Sequence, residues 1–271
     1  MIAVPRVTAL VAKELAELRR NRSALLPVVL IALVVMVLPL FVAIAIPRMT
    51  GDPVSNDTDV RRALELASRD LPRAGMLSPE GAAQAFVFNR FAVLLLLVPV
   101  TGSITFAAHS LVSEKQGRSL EPLLASPITT AELLLSKVLG ALIPSLAITA
   151  VTFVAYAALV WMLAEPDVLA AAVTGKILLL IGVIGPLASA VAVQVGVLVS
   201  ARVNDPRTAQ QFGALLILPL TVLFVAQMTG AFILSPGFAV AIAVGLALLW
   251  LALLLLGVAI FQRETILTRW R

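Results

Sequence analysis

Six long apolar runs separate the polar parts of this chain and constrain its fold more than any other feature. They lie at about residues 24–46, 86–112, 134–163, 176–200, 212–227 and 238–261. All but the fifth reach the roughly 20 residues that a helix needs to cross a bilayer. A helix also satisfies its backbone hydrogen bonds internally, as the hydrocarbon core requires. The runs predict an all-α integral membrane protein with six transmembrane helices in a single domain, residues 1–271.

The composition excludes a soluble domain and several kinds of site. The chain is 61% hydrophobic and 13% charged, with a mean hydropathy of +1.05, whereas soluble domains carry about 25% charged residues. It has no cysteine and a single histidine, His109, so disulfides and thiolate or histidine-cluster metal sites are excluded and we predict no metal. Basic loops of a membrane protein explain the net charge of +5, so we predict no nucleic-acid partner.

Residues 6–22 predict an amphipathic helix ahead of the first run. One face carries Val7, Leu10, Val11, Leu15 and Leu18. Lys13, Glu17 and Arg20 mark another face. Because it is too polar to span, we expect this helix to lie in the membrane interface with its leucines toward the lipid. Arginines 19, 20 and 22 then abut the first run.

The polar segment 113–133, between the second and third runs, has the clearest helix signals of any loop. Gly117 interrupts the preceding helix, and Ser119 can cap a short new one with Glu121 in its first turn. Its apolar face is formed by Leu120, Leu123 and Leu124, and Ser126-Pro127 ends it. This segment is either a docking surface for a partner or an ordinary solvated loop, and the residues alone support both interpretations equally.

Two further helix starts are predicted from capping residues. Thr129 and Glu132 have the spacing of a capping box that begins the next membrane helix. Ser78-Pro79-Glu80 is an N-cap followed by a proline at the first helical position, and it predicts that the second membrane helix begins before its apolar run.

The segment 113–133 resembles the signature of type-2 ABC exporter permeases, "E+ERGTLE-LL-SP" followed by "LL-GK". Residues 114–127 read EKQGRSLEPLLASP and residues 132–137 read ELLLSK. Arg118-Ser119 stand where Gly-Thr is usual, and Ser136 replaces the glycine before Lys137. Lys13-Glu14-Leu15 is similar to the "KEL" that often opens these permeases, and residues 202–211 are similar to a later inner loop.

The resemblance implies the ABC type-2 exporter fold, with an interfacial helix before six spans, and a permease subunit of an ATP-binding cassette exporter. The segment 113–133 would then couple the spans to a separate ATPase subunit. The implied coupling residues are Glu114, Gly117, Arg118, Ser119, Leu120, Glu121, Leu123, Leu124 and Pro127, and the implied interfacial-helix residues are Lys13, Glu14 and Leu15. The leucines at 120, 123 and 124 would fill a hydrophobic groove, with the charged residues around its rim.

No ATP site is expected in the chain itself. Residues 170 and 171 are both alanine, so a phosphate-binding loop ending in Gly175-Lys176 would lack its first glycine, and Lys176 is followed by Ile177. We therefore predict no enzyme activity and no bound cofactor, with ATP and Mg²⁺ in the partner subunit. Under the resemblance, six helices form half a pathway, which implies a second permease copy or a paralogue as a further partner besides membrane lipid.

The distribution of basic residues predicts the orientation. The short links hold their lysines and arginines on the side of the N-terminus, so we expect both termini to be cytoplasmic. The resemblance implies the inner membrane of a prokaryote. Residues 47–85 then lie outside, and they are too few for a domain with its own core, so we predict a cap on the bundle.

Polar and small residues within the runs have alternative interpretations. In the fourth run, Ser189 and Gly196 belong to a small-residue stripe and Gln194 lies nearly opposite, so these residues either pack against neighbouring helices or line a substrate path. Arg90 lies near enough to the outer surface to snorkel. Prolines 39, 99, 144, 186 and 219 mark candidate kinks.

Two other functions remain open besides the exporter: an ATP-independent multi-pass transporter or channel, and a membrane protein without transport activity, such as a scaffold or a membrane-bound enzyme. The runs carry no acidic or basic residue at mid-membrane, which disfavours ion-coupled transport. No convergent acid, base and ligand set favours catalysis.

Overall fold

The structure is a computed structural model that describes residues 3–66, 71, 73–116, 128–200, 208, 211, 215, 217–228 and 235–260. All regular secondary structure in these residues is helical, which confirms the all-α prediction. Among them, five stretches are long and apolar enough to cross a membrane: Arg22–Thr50, Pro79–Ser110, Ala131–Leu163, Gly175–Ser200 and Gly237–Gly257. The fifth predicted run contains a shorter apolar helix, Ile217–Met228, so a count of six spans stays a prediction.

Twelve α-helices are assigned in the described residues. They are α1 Val4–Arg20, α2 Arg22–Leu40, α3 Ile46–Thr50, α4 Thr58–Leu66, α5 Pro79–Phe91, α6 Leu97–Gln116, α7 Thr130–Leu163, α8 Val168–Ala172, α9 Gly175–Leu179, α10 Gly185–Ser200, α11 Ile217–Met228 and α12 Pro236–Ile260. Several begin earlier than the predicted runs because capping residues, rather than hydropathy, set their first turns. The Ser78 hydroxyl accepts from Gly81 N and confirms the predicted cap of α5.

Three spans contain a segment of altered helix type just before a proline. Two are π-helical, Phe41–Ala45 and Leu180–Ile184, and one is 3₁₀, Ala92–Leu96. Each contains the residue four positions before a proline: Ala43 before Pro47, Leu95 before Pro99 and Gly182 before Pro186. A proline ring clashes with that residue's carbonyl and donates no hydrogen bond, so the pattern changes there. Of these three prolines, Pro99 and Pro186 were predicted as kinks and Pro47 was not. Two other predicted positions, Pro39 and Pro144, lie inside α2 and α7.

The span Pro79–Ser110 forms the centre of the bundle. In an 18-residue apolar stretch of this span, 94% of the residues are buried. The corresponding share is 33% in the first and third spans and 6% in Gly237–Gly257. The prediction that Arg90 snorkels to the surface is wrong, because this residue lies on the central helix and is only 4% exposed. Its guanidinium instead lies 5.2 Å from the centroid of the Phe86 ring.

The bundle has two distinct ends. We call the end that carries α1, the end of α6 and the start of α7 the proximal end. The distal end carries residues 47–66, 71, 73–78 and 164–174. There, Val54, Leu71 and Ala74 are buried in the same apolar core as α5, so the described part of segment 47–85 packs on the bundle as the predicted cap would.

Candidate functional site

The predicted coupling segment joins the bundle at its proximal end. Glu114 lies near the end of α6, which runs to Gln116, and α7 starts at Thr130. The remaining predicted coupling residues, Gly117, Arg118, Ser119, Leu120, Glu121, Leu123, Leu124 and Pro127, lie outside the described residues. The site can therefore be built from the two helix ends that flank the segment and from what holds them.

The start of α7 is held by the predicted capping box, which the structure confirms. The Thr129 hydroxyl accepts from Glu132 N at 3.2 Å, and Glu132 Oε2 accepts from Thr129 N at 2.8 Å. The second carboxylate oxygen, Oε1, accepts from Ala3 N at 2.8 Å. Because Glu132 is fully buried, one carboxylate both caps α7 and fixes the residue that precedes α1.

A second contact joins α1 to both helices that flank the segment. Lys137 Nζ of α7 donates to Glu14 Oε1 of α1 at 2.5 Å and to Ser110 Oγ of α6 at 2.8 Å. Ser110 Oγ in turn donates to Glu14 Oε2 at 2.5 Å. We call Glu14, Ser110 and Lys137 the proximal triad. It connects three helices through one closed set of charge-assisted hydrogen bonds.

Gly140 allows α1 to approach α7 closely enough for this contact. A Cβ atom placed on Gly140 would lie 2.7 Å from Glu14 Cβ, which is closer than real Cβ contacts allow. Next to it is a cavity of about 30 Å³, lined in part by His109 of α6 and by Glu14 and Ser110. A water molecule fits in that volume, so the triad lies beside a water-sized pocket.

Burial makes the ionic part of the triad depend on both of its charges. Lys137 and Glu14 are 4% and 7% exposed. Removing two charges from water costs several kcal/mol per ion, and only the mutual attraction and the added hydrogen bonds offset this cost. Losing either charge would leave the other buried and uncompensated, so α1 has to move with α6 and α7 or break the contact at a large cost.

In the sequence, Glu14 and Lys137 belong to separate motifs, and their contact was not predicted. Of the neighbours of Glu14, Lys13 is half-buried and pairs with Glu17 at 3.4 Å, and Leu15 is also half-buried. Ser110 was missed. A usable signal was Lys137 itself, a lysine within an apolar helix, because such a charge requires a partner of opposite sign.

The residues singled out on α10 are buried between helices of the same chain. A Cβ on Gly196 would lie 3.1 Å from Ala107 Cβ of α6, and Ser189 donates to Gly185 O at 2.8 Å. Gln194 Oε1 lies 3.8 Å from the Cβ position of Gly257 in α12. These contacts favour the packing interpretation, and a role in a substrate path stays a prediction.

A bundle of long apolar helices, with a polar helix fixed across one end of it, defines the chain as a multi-pass membrane protein. A family model described as "ABC-2 family transporter protein" matches residues 8–251, a range that includes the whole proximal triad. The chain belongs to this family of transporter permeases, whose members are typically the non-enzymatic transmembrane component of an ABC transporter. Neither the curated proteins nor the solved structures give a match.

Proposed function

We propose that this chain is the permease subunit of an ATP-binding cassette exporter and that it couples to a separate ATPase subunit through segment 113–133. The observation that carries the proposal is the proximal triad. It joins α1 to the two helices from which that segment extends, so force applied to the segment reaches three helices at once. In this proposal ATP and Mg²⁺ are bound by the ATPase, and the permease binds neither.

The proposed mechanism follows the connections from the segment into the membrane. Closure of nucleotide-bound ATPases displaces segment 113–133 and with it the ends of α6 and α7. Glu14 and the Glu132–Ala3 contact carry α1 along. Only Asn21 separates α1 from α2, and its side chain caps α2 by accepting from Ala24 N at 3.2 Å. The first span therefore tilts with α1, which changes access to the path between protomers.

A second permease copy or paralogue completes the path in this proposal. The exposure of the last span supports a second copy, because only 6% of the residues in the apolar stretch of Gly237–Gly257 are buried within the chain. α1 lies in the membrane interface, both termini are cytoplasmic, and the membrane is the inner membrane of a prokaryote. The basic links near the proximal end agree with this orientation.

Co-purification from native membranes tests the proposal. The tagged chain is solubilised in detergent and its partners are identified by mass spectrometry, for the wild type, for Leu123→Asp with Leu124→Asp, and for a control. Met76→Asp is the matched control, because it also places a carboxylate at an apolar residue, here an 86% exposed one at the distal end.

We expect an ATPase with a phosphate-binding loop to co-purify in stoichiometric amount with the wild type and the control. The double variant should lose it, because two carboxylates cannot enter an apolar groove without a large desolvation cost. Wild-type chain that purifies without an ATPase, or a double variant that keeps it, would contradict the proposed coupling.

A further inference from the structure

A concentrated positive surface lies where α1 meets α2. Arg19, Arg20 and Arg22 are all exposed and flank the break between the two helices at Asn21. Arg22 is also the first residue of the first candidate span. The three charges therefore lie at the boundary between the polar helix and the apolar one.

The acidic residues of α1 do not neutralise this surface. Glu14 is buried and bound to Lys137 and Ser110. Glu17 is exposed and pairs with Lys13 at 3.4 Å, one turn away from the break. The three arginines thus form a local excess of positive charge.

Below the arginines, α2 presents an apolar stripe to the outside of the bundle. Arg22 is followed at helical spacing by Leu26, Leu30 and Leu33, which are 58%, 52% and 46% exposed. The opposite face of α2, with Ala24 and Val28, is buried in the bundle. From Arg22 to Leu33 the helix rises about 16 Å, roughly one leaflet of a ~30 Å hydrocarbon core.

We propose that this surface is a binding site for an anionic phospholipid. The phosphate contacts Arg19, Arg20 and Arg22, and one acyl chain lies along Leu26, Leu30 and Leu33. The combination of a guanidinium cluster with an apolar stripe of one-leaflet length fits an amphiphile with a negative headgroup, since guanidinium groups bind phosphate bidentately. A free phosphate would use only the charged half.

Native mass spectrometry of the delipidated full chain in neutral detergent tests the site. Dioleoyl phosphatidylglycerol and dioleoyl phosphatidylcholine are titrated separately, and glycerol phosphate is the competitor without acyl chains. The variant Arg19→Gln with Arg22→Gln is compared with Arg61→Gln with Arg62→Gln, an exposed arginine pair on α4 at the distal end. Both double variants remove the same charge.

We expect the wild type to bind the anionic lipid more tightly than the zwitterionic one. Removing Arg19 and Arg22 should lower affinity for the anionic lipid about thirtyfold, since each basic residue near an anionic surface contributes about 1 kcal/mol. The α4 control should change it less than about twofold by the same reasoning. Glycerol phosphate should not displace the lipid.

Three results would overturn the site: equal affinity of the wild type for both lipids, an equal loss in both double variants, or displacement by glycerol phosphate as effective as displacement by lipid. The last result would identify a simple anion site. The first and third measurements use the unmodified chain, so they decide the matter even if the arginine variant does not insert correctly.

Discussion

The contacts that hold the helices in place differ between the two ends of the bundle. At the proximal end, buried charged side chains make the contacts. Glu14 pairs with Lys137 and accepts from Ser110, and Glu132 accepts from Ala3 N. At the distal end, many of the described hydrogen bonds are exposed or only partly buried, and they join a side chain to a backbone group. Arg48 donates to Leu163 O at 3.4 Å, and Glu80 accepts from Val54 N and Ser55 N.

This difference indicates which end transmits force. A buried ionic contact fixes the relative position of its helices and resists small displacements, because half-broken states leave a charge in a low-dielectric site. Exposed contacts exchange with water at little cost. We therefore expect the proximal end to move as one unit and the distal end to adjust around it. The following variants test that contrast, in order of expected effect.

The largest effect is expected from Lys137→Met, which leaves Glu14 buried without its charge partner. The free energy of unfolding should fall by about 3–5 kcal/mol. It can be measured by reversible unfolding with SDS in mixed micelles, followed by circular dichroism. The pair Glu14→Leu with Lys137→Met should recover most of the loss, because no unpaired charge remains. A double variant as unstable as the single one would contradict the ionic account.

A smaller loss is expected from Gly140→Ala, whose new Cβ would collide with Glu14 Cβ. Overpacking of this kind costs about 1–3 kcal/mol of unfolding free energy. Gly245→Ala on α12 is the matched control, because nothing lies within 4 Å of its Cβ position. The same unfolding assay should show no loss there, and equal losses in the two variants would mean that α1 does not approach α7 at Gly140.

Ser110→Ala should cost less again. It removes a hydroxyl that donates to Glu14 and accepts from Lys137 but keeps both charges, so the expected loss is about 1.5 kcal/mol. Ser23→Ala, at an exposed hydroxyl that donates to Asn21 Oδ1, should stay within about 0.5 kcal/mol. If the two serine variants are equally stable, Ser110 is not part of the triad.

The smallest effect is expected at the distal end from Arg48→Gln. Its bond to Leu163 O is long and exposed, so the unfolding free energy should change by less than about 0.5 kcal/mol. A loss as large as that of Lys137→Met would remove the contrast between the ends.

The sequence predicted those features that depend on neighbouring residues. The capping box of Thr129 with Glu132 and the cap at Ser78 need only three or four consecutive positions, and both are present in the structure. The spans followed from the length of the apolar runs. Such features depend only on neighbouring residues, so they can be predicted without knowledge of the tertiary packing.

The failures concern contacts between distant parts of the chain. Glu14 and Lys137 are 123 positions apart, and no local rule pairs them. Arg90 was placed at the surface because its distance from the end of the run allowed snorkelling, yet the span Pro79–Ser110 is the central one. Which span lies at the centre depends on how all of them pack, and the apolar runs resemble each other too closely to show it.

The central claim is that α1 moves with the helix ends that flank segment 113–133 because the proximal triad holds it there. Double electron–electron resonance (DEER) between two spin labels can measure this movement in the complex with its ATPase. The chain has no native cysteine, so labels can be placed at Thr8→Cys on the exposed face of α1 and at Met76→Cys at the distal end. The distance is compared between nucleotide-free and nucleotide-trapped states.

We expect the distance between the labels to change on trapping when the triad is intact. In the variant Glu14→Leu with Lys137→Met the Glu132–Ala3 contact still joins α1 to α7, so the change should be strongly reduced but not abolished while the ATPase stays bound. The same change in both proteins would contradict the account, because α1 would then follow the ATPase without the triad.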